Sequence, residues 1–167
     1  MGNRPEFIKN YKDLMDEDTA TYPGSTELLC QGSPVGKKLG LKKIGIHIET
    51  LHPVRRTSWP HAESEEEEFA NVIEGYPQAW IDGEVYDLSP GDFVAFPSGT
   101  GIAHTFINNT DQVVLMLVGG EATKKENKIY YPLNPERNEE MKKQGVFWDN
   151  HPERKLGTHD GLPDKQR

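Results

Sequence analysis

A chain of 167 residues with 27 acidic against 19 basic side chains, a net charge of −8 and one cysteine has room for one domain with a proper core. That charge excludes a nucleic-acid surface, which needs clustered Lys and Arg, and no apolar run approaches the roughly 20 residues that span a bilayer. With 16 Gly, 12 Pro and only 34% hydrophobic residues, the composition fits a turn-rich, all-β body rather than a helical bundle. The segment Met1 to Glu6 lacks the apolar region of a secretory signal, and Glu6 stands where a myristoylation motif at Gly2 needs Ser or Thr. Cys30 has no partner for an internal disulfide, which agrees with a reducing, cytoplasmic setting. No motif surrounds it, so it reads as a packed small residue.

Residues 1–38 read as an N-terminal arm with one short turn of helix. Tyr22-Pro23-Gly24-Ser25 is turn chemistry, and Lys37-Lys38 with Lys42-Lys43 form a small basic patch, most simply a solvated surface. From Leu41 the period becomes two. Ile44, Ile46 and Ile48 alternate with Gly45, His47 and Glu49, as in a half-buried strand, and His47 falls on the face opposite the isoleucines. Its simplest role is at a sheet face or a subunit contact. Arg55-Arg56 read as surface charges in preference to anion clamps.

The stretch from Pro60 to Asn108 concentrates the chemistry. His61 and Glu63 are two apart and point the same way on an extended strand. Glu68 closes a run of four glutamates and leads straight into the apolar Phe69–Ile73. Glu65 and Glu66 read as solvated charge, Glu68 less so. Asp82-Gly83 between Ala79-Trp80-Ile81 and Val85-Tyr86-Asp87-Leu88 is a strong hairpin signal. Short strands follow at Phe93–Phe96, Ile102–Asn108 and Val113–Val118, making about seven at the spacing of a jelly-roll or barrel. After Gly120 the pattern fades into a possible edge segment at Tyr130-Tyr131-Pro132 and a helix over 136–144. The aromatics Tyr130, Tyr131, Phe147 and Trp148 predict a segment that packs across the barrel.

The two clusters resemble the paired motifs of the cupin superfamily. The first runs His-x-His, four residues, Glu, then Gly; His61, Glu63, Glu68 and Gly75 fall on those positions. The second runs Pro-Gly-Asp, Pro-x-Gly, His, Asn; Pro90-Gly91-Asp92, Pro97-Ser98-Gly99, His104 and Asn108 match it, with a loop two residues longer before the histidine. The Glu-Glu-Glu-Phe run and Pro-Ser-Gly-Thr-Gly-Ile-Ala-His are similar to a group of cupins with long C-terminal segments. The resemblance implies a jelly-roll β-barrel at 39–120, an extension at 121–167, a homodimer, and a divalent metal on His61, Glu63, Glu68 and His104. Glu63 replaces the second histidine of the pattern. A harder, two-carboxylate donor set shifts preference toward Mn or Fe(II) and away from Cu, with Ni and Zn also compatible. The other reading of Glu63 is a degenerate pocket in which His61 and His104 meet substrate directly.

The scaffold alone does not assign a reaction. A metal-dependent enzyme acting on a small polar metabolite, as oxygenase, isomerase or lyase, is the first reading. A 2-oxoglutarate oxygenase is excluded, since residues 105–120 contain no Arg or Lys to hold the co-substrate. A metal-free isomerase or epimerase would pair His61 or His104 as base with Tyr76 or Tyr86 as acid. A non-enzymatic small-molecule binding module is the third reading. No catalytic residue is assigned.

Overall fold

A computed structural model describes residues 4–122 and 124–167; the myristoylation question at Gly2 lies outside them. Eleven strands form two main sheets and a small ribbon. The strands are β1 (Gln31–Ser33), β2 (Ile44–Leu51), β3 (Arg55–Arg56), β4 (Ala62–Glu63), β5 (Glu68–Glu74), β6 (Gln78–Ile81), β7 (Glu84–Asp87), β8 (Phe93–Phe96), β9 (His104–Asn108), β10 (Val114–Glu121) and β11 (Ile129–Tyr130). The first sheet has the order β1-β2-β10-β5-β8 and the second β3-β9-β6-β7, every pairing antiparallel. From β7 the chain crosses between the two sheets at each step, β8 to the first, β9 to the second and β10 to the first, which is the jelly-roll pattern. Two α-helices, α1 (Val35–Lys38) and α2 (Pro135–Gln144), and two short 3-10 turns complete the chain. Among the described residues no helix is long and apolar enough to cross a membrane.

The turns follow from residue type. Asp82 and Gly83 both take positive φ, 48° and 87°, the conformation a two-residue hairpin demands. Gly75 closes β5 at φ 88°, where a Cβ would lie 2.8 Å from Val114 Cγ2. The motif glycine is therefore required twice over, by backbone and by space. Asn108 is fully buried; its Nδ2 donates to Leu51 O at 2.9 Å and Gln112 O at 2.7 Å, and its Oδ1 accepts from Thr110 N. The last residue of the second motif thus fastens the β9–β10 turn.

Between the sheets lie Leu51, Ala70, Val114, Met116 and Phe96 from one side and Ala79 and Phe106 from the other. A second cluster, Ala62, Trp80, Ala103, Ile107 and Trp148, lies where the segment after β11 covers the second sheet. Trp80 Nε1 donates to His159 O at 2.8 Å, and Gly157 N to Asp82 O at 2.7 Å.

Two expectations reverse. The isoleucines of β2 face outward: Ile44 is 54% exposed, while Leu51, in register with Gly45, His47 and Glu49, is fully buried. Pairing places Leu115, Leu117 and Phe69 on that same outer face, so it is apolar without being the core. Arg55 and Arg56 are not free surface charges. Arg55 pairs with Asp18 at 2.6 Å, and buried Arg56 holds both Glu27 oxygens, at 2.7 and 2.8 Å, and Gly161 O at 3.0 Å.

Candidate metal centre

His61 stands just ahead of β4 and His104 opens β9, and the two exchange backbone hydrogen bonds: His61 N donates to His104 O at 3.3 Å and His104 N to His61 O at 3.0 Å. Their rings lie 5.2 Å apart. Glu68 opens β5 between Phe96 of β8 and Gly120 of β10. Its Oε2 accepts from His104 Nε2 at 3.1 Å and lies 4.0 Å from His61 Nε2. One donor atom from each of the three residues falls within 4.8 Å of the other two, close enough to share a cation.

The histidine orientations are set from behind. His61 Nδ1 lies 2.9 Å from Trp59 O, which only accepts, so that nitrogen carries the proton and Nε2 presents its lone pair toward Glu68. The His104 ring is sandwiched flat against Phe96, and its Nδ1 faces Ile102 O at 3.4 Å. Burial lowers the His61 pKa, and the neighbouring His104 lowers it further. For Glu68, burial pushes the pKa up, but the His104 hydrogen bond and the charges of His61 and His104 outweigh it and hold the carboxyl well below its usual range. The site therefore keeps an ionised carboxylate beside two histidines, and a cation binding there would displace the proton that His104 Nε2 shares with Glu68.

Glu63 stands outside this three-residue group. Its carboxyl is pushed up to about 8, by burial first and then by the charges of Glu68 and Glu66. Its Oε2 is buried without any hydrogen-bond partner. An orphaned acceptor beside Glu68 is the sort of lone pair a cation would satisfy.

Glu49 was not singled out by its sequence context. It lines, with Ser58, His61, Glu68, His104 and Phe106, a cavity of about 100 Å³. Burial raises its pKa to about 7, against a lowering hydrogen bond with Cys30. Its neighbours on β2 are Ile48 and Thr50, so only the inversion of the strand's faces brings it inside. The tyrosines do not join the site: Tyr76 and Tyr86 are 64% and 53% exposed and neither lines the cavity. Cys30 is buried, with Sγ 3.6 Å from Thr57 O. Glu66, expected as solvated charge, accepts Lys124 N at 2.5 Å.

The family model for the cupin domain matches residues 47–119. Among solved structures, a sugar phosphate isomerase of the cupin superfamily from Silicibacter pomeroyi is 31% identical with a TM-score of 0.58, covering 61% of this chain and 64% of its own. A protein from Acidithiobacillus ferrooxidans, provisionally named a sugar phosphate isomerase, is 28% identical with a TM-score of 0.59, covering 62% and 65%. The chain thus spans less than two thirds of the length of either. The polyketide cyclase RemF from Streptomyces resistomycificus shares the fold, at 18% identity and a TM-score of 0.60 over 89% of this chain and 100% of its own. No curated protein matches the sequence significantly. Motifs, sheet topology and family model agree, and residues 47–119 of this chain are a cupin domain.

Proposed function

We propose that this protein binds one divalent cation through His61, Glu68 and His104, with Glu63 as fourth donor, and isomerises a small phosphorylated sugar. The observation that carries the metal half is the convergence of three donor atoms within 4.8 Å of one another. The orphaned Glu63 Oε2 supports the fourth position. Isomerisation is supported by the two structures with 31% and 28% identity, one a sugar phosphate isomerase by name and the other provisionally so.

When bound, a divalent cation in such a site polarises a carbonyl or hydroxyl oxygen of the substrate. The chain's own residues supply the rest. Glu49, in the same cavity, has a carboxyl whose pKa of about 7 suits it to take a proton from the carbon next to a carbonyl. Returning that proton to the neighbouring carbon, while the hydroxyl proton passes from one substrate oxygen to the other through the enediol, completes an aldose–ketose exchange with no net change in atoms. Phe106 and Val118 keep one wall apolar and limit water around the proton in transit.

Metal analysis of the purified protein, followed by titration with Mn, Fe(II), Ni and Zn, tests the first half. One equivalent of cation is expected, with affinity lost in Glu68→Ala and lowered about 10–100-fold in Glu63→Gln. A protein that takes up none of the four metals lacks this function. Unchanged affinity in Glu63→Gln removes that residue from the donor set. Interconversion of aldose and ketose phosphates by the metal-loaded protein, absent in Glu49→Gln, tests the second half.

The outer face of the first sheet supports a homodimer. Ile44, Phe93 and Ile73 are 54%, 68% and 44% exposed there, and Phe69 lies stacked with Phe93. An apolar sheet face of this kind is interface material.

A further inference from the structure

The two lysines of α1, Lys37 and Lys38, have no part in the donor set, and one of them is unspent. Lys38 is engaged, its Nζ 2.6 Å from Asp16 Oδ1 and 2.8 Å from Leu14 O. Lys37 beside it is exposed and has no ion-pair partner among the described residues. It lines a cleft of about 340 Å³ together with His47, Glu66, Glu68, Val118 and Glu121. Of the three carboxylates, Glu121 pairs with Lys124 Nζ, and Glu66 accepts a hydrogen bond from the backbone N of Lys124. Glu68 is turned to His104. Lys37 is the uncompensated cation of the cleft.

The cleft also adjoins the candidate metal centre. Glu68 and Val118 line both it and the 100 Å³ cavity that holds His61 and His104. A ligand lying in the cleft thus has one end near Lys37 and the other at the triad. His47, exposed on the same face of β2 as Glu49 and Leu51, lines the cleft with Lys37 and Glu68. The volume is at the small end of the roughly 300–1,000 Å³ of ligand pockets, suited to a compact metabolite. An ammonium group is a compact charge with three donors, well matched to phosphate oxygens.

We propose that Lys37, with His47 beside it, is the subsite for the phosphate monoester of the substrate, holding it so that the carbonyl end reaches the His61–Glu68–His104 cavity. This rests on the isomerase reading above for its substrate class. It makes Lys37 a specificity residue that touches the substrate away from the reacting atoms.

Ribose 5-phosphate and ribose, titrated into the full chain by calorimetry, test it, with Mn titration run on the same samples. Ribose 5-phosphate is expected to bind at least about tenfold more tightly than ribose, the loss of one charge-assisted contact being of that order. In Lys37→Gln that preference falls to less than about twofold, and Mn affinity is unchanged; in the neighbouring Lys42→Gln the preference persists. No binding of ribose 5-phosphate, or a preference that survives Lys37→Gln, overturns the subsite. A protein that binds Mn but shows no phosphate preference loses the subsite alone. One that prefers ribose 5-phosphate through Lys37 without binding Mn keeps the subsite and loses the metal reading.

Discussion

The ring of Phe96 lies flat on the imidazole of His104, with centroids 3.5 Å apart and planes only 6° from parallel. Phe96 is 6% exposed and belongs to the core between the sheets, so the packing of the barrel holds this imidazole in place. The second histidine of the site is thereby aimed by a residue that offers no donor atom.

Phe96→Leu keeps an apolar side chain but removes the flat support. Mn affinity is expected to fall about tenfold, as for other residues that orient a ligand from behind. The variant should fold, with a stability loss of about 1 kcal/mol. Competition with a fluorescent chelator reads the first and urea unfolding the second.

Glu49 links the site to pH. Its folded pKa is about 7 against an ordinary 4.5, so the folded state prefers the neutral acid. The stability this contributes is full below pH 4.5 and is lost as pH rises through 7. A shift of this size corresponds to about 3 kcal/mol across that window. Urea unfolding of the metal-free protein at pH 5 and pH 8 should show the decline. In Glu49→Gln the slope should be flatter by about that amount.

Arg56 ties the barrel to segments on both sides of it in sequence. Its side chain is 6% exposed and its partner Glu27 18%. Arg56→Met leaves the Glu27 carboxylate buried without its cation, at a cost of about 3–5 kcal/mol. Adding Glu27→Gln should restore part of the loss, because the stranded charge is then gone. Thermal unfolding of the single and double variants checks the order.

Phe93 is 68% exposed on the apolar outer face, so changing it touches little within one chain. Phe93→Glu should leave monomer stability within about 0.5 kcal/mol. Light scattering is expected to show a dimer for the parent protein at micromolar concentration and a monomer for the variant. A parent that is monomeric at that concentration ends the dimer reading.

The fold was legible where local chemistry is decisive. Asp82-Gly83, Gly75 and the strands they join followed from turn and alternation rules, and the motif spacing pointed to His61, Glu68 and His104 before any contact was seen. The misreadings share one cause. Alternation in β2 shows that two faces differ but not which one is inside; Ile44, Ile46 and Ile48 look like core, and only the register with Leu51 turns Glu49 inward. Arg56 and Glu27 are 29 residues apart with no local pattern joining them, so a buried ion pair read as surface charge. Glu63 was visible as an anomaly, yet its burial, its unpartnered oxygen and the Glu68 and Glu66 charges that raise its pKa come from the fold around it.

The backbone of Gly157 is wedged against that of Gly83, where a Cβ on Gly83 would lie 2.5 Å from Gly157 N. The hairpin between β6 and β7 therefore acquires its final cover from a strand of chain more than seventy residues downstream, with Trp80 sealed by His159 in the same stroke. Contacts of such long sequence separation form late and slowly. During synthesis the strands of the second sheet are complete before residues 157–159 exist, so the cover of Trp80 is one of the last parts of this sheet's packing to become available.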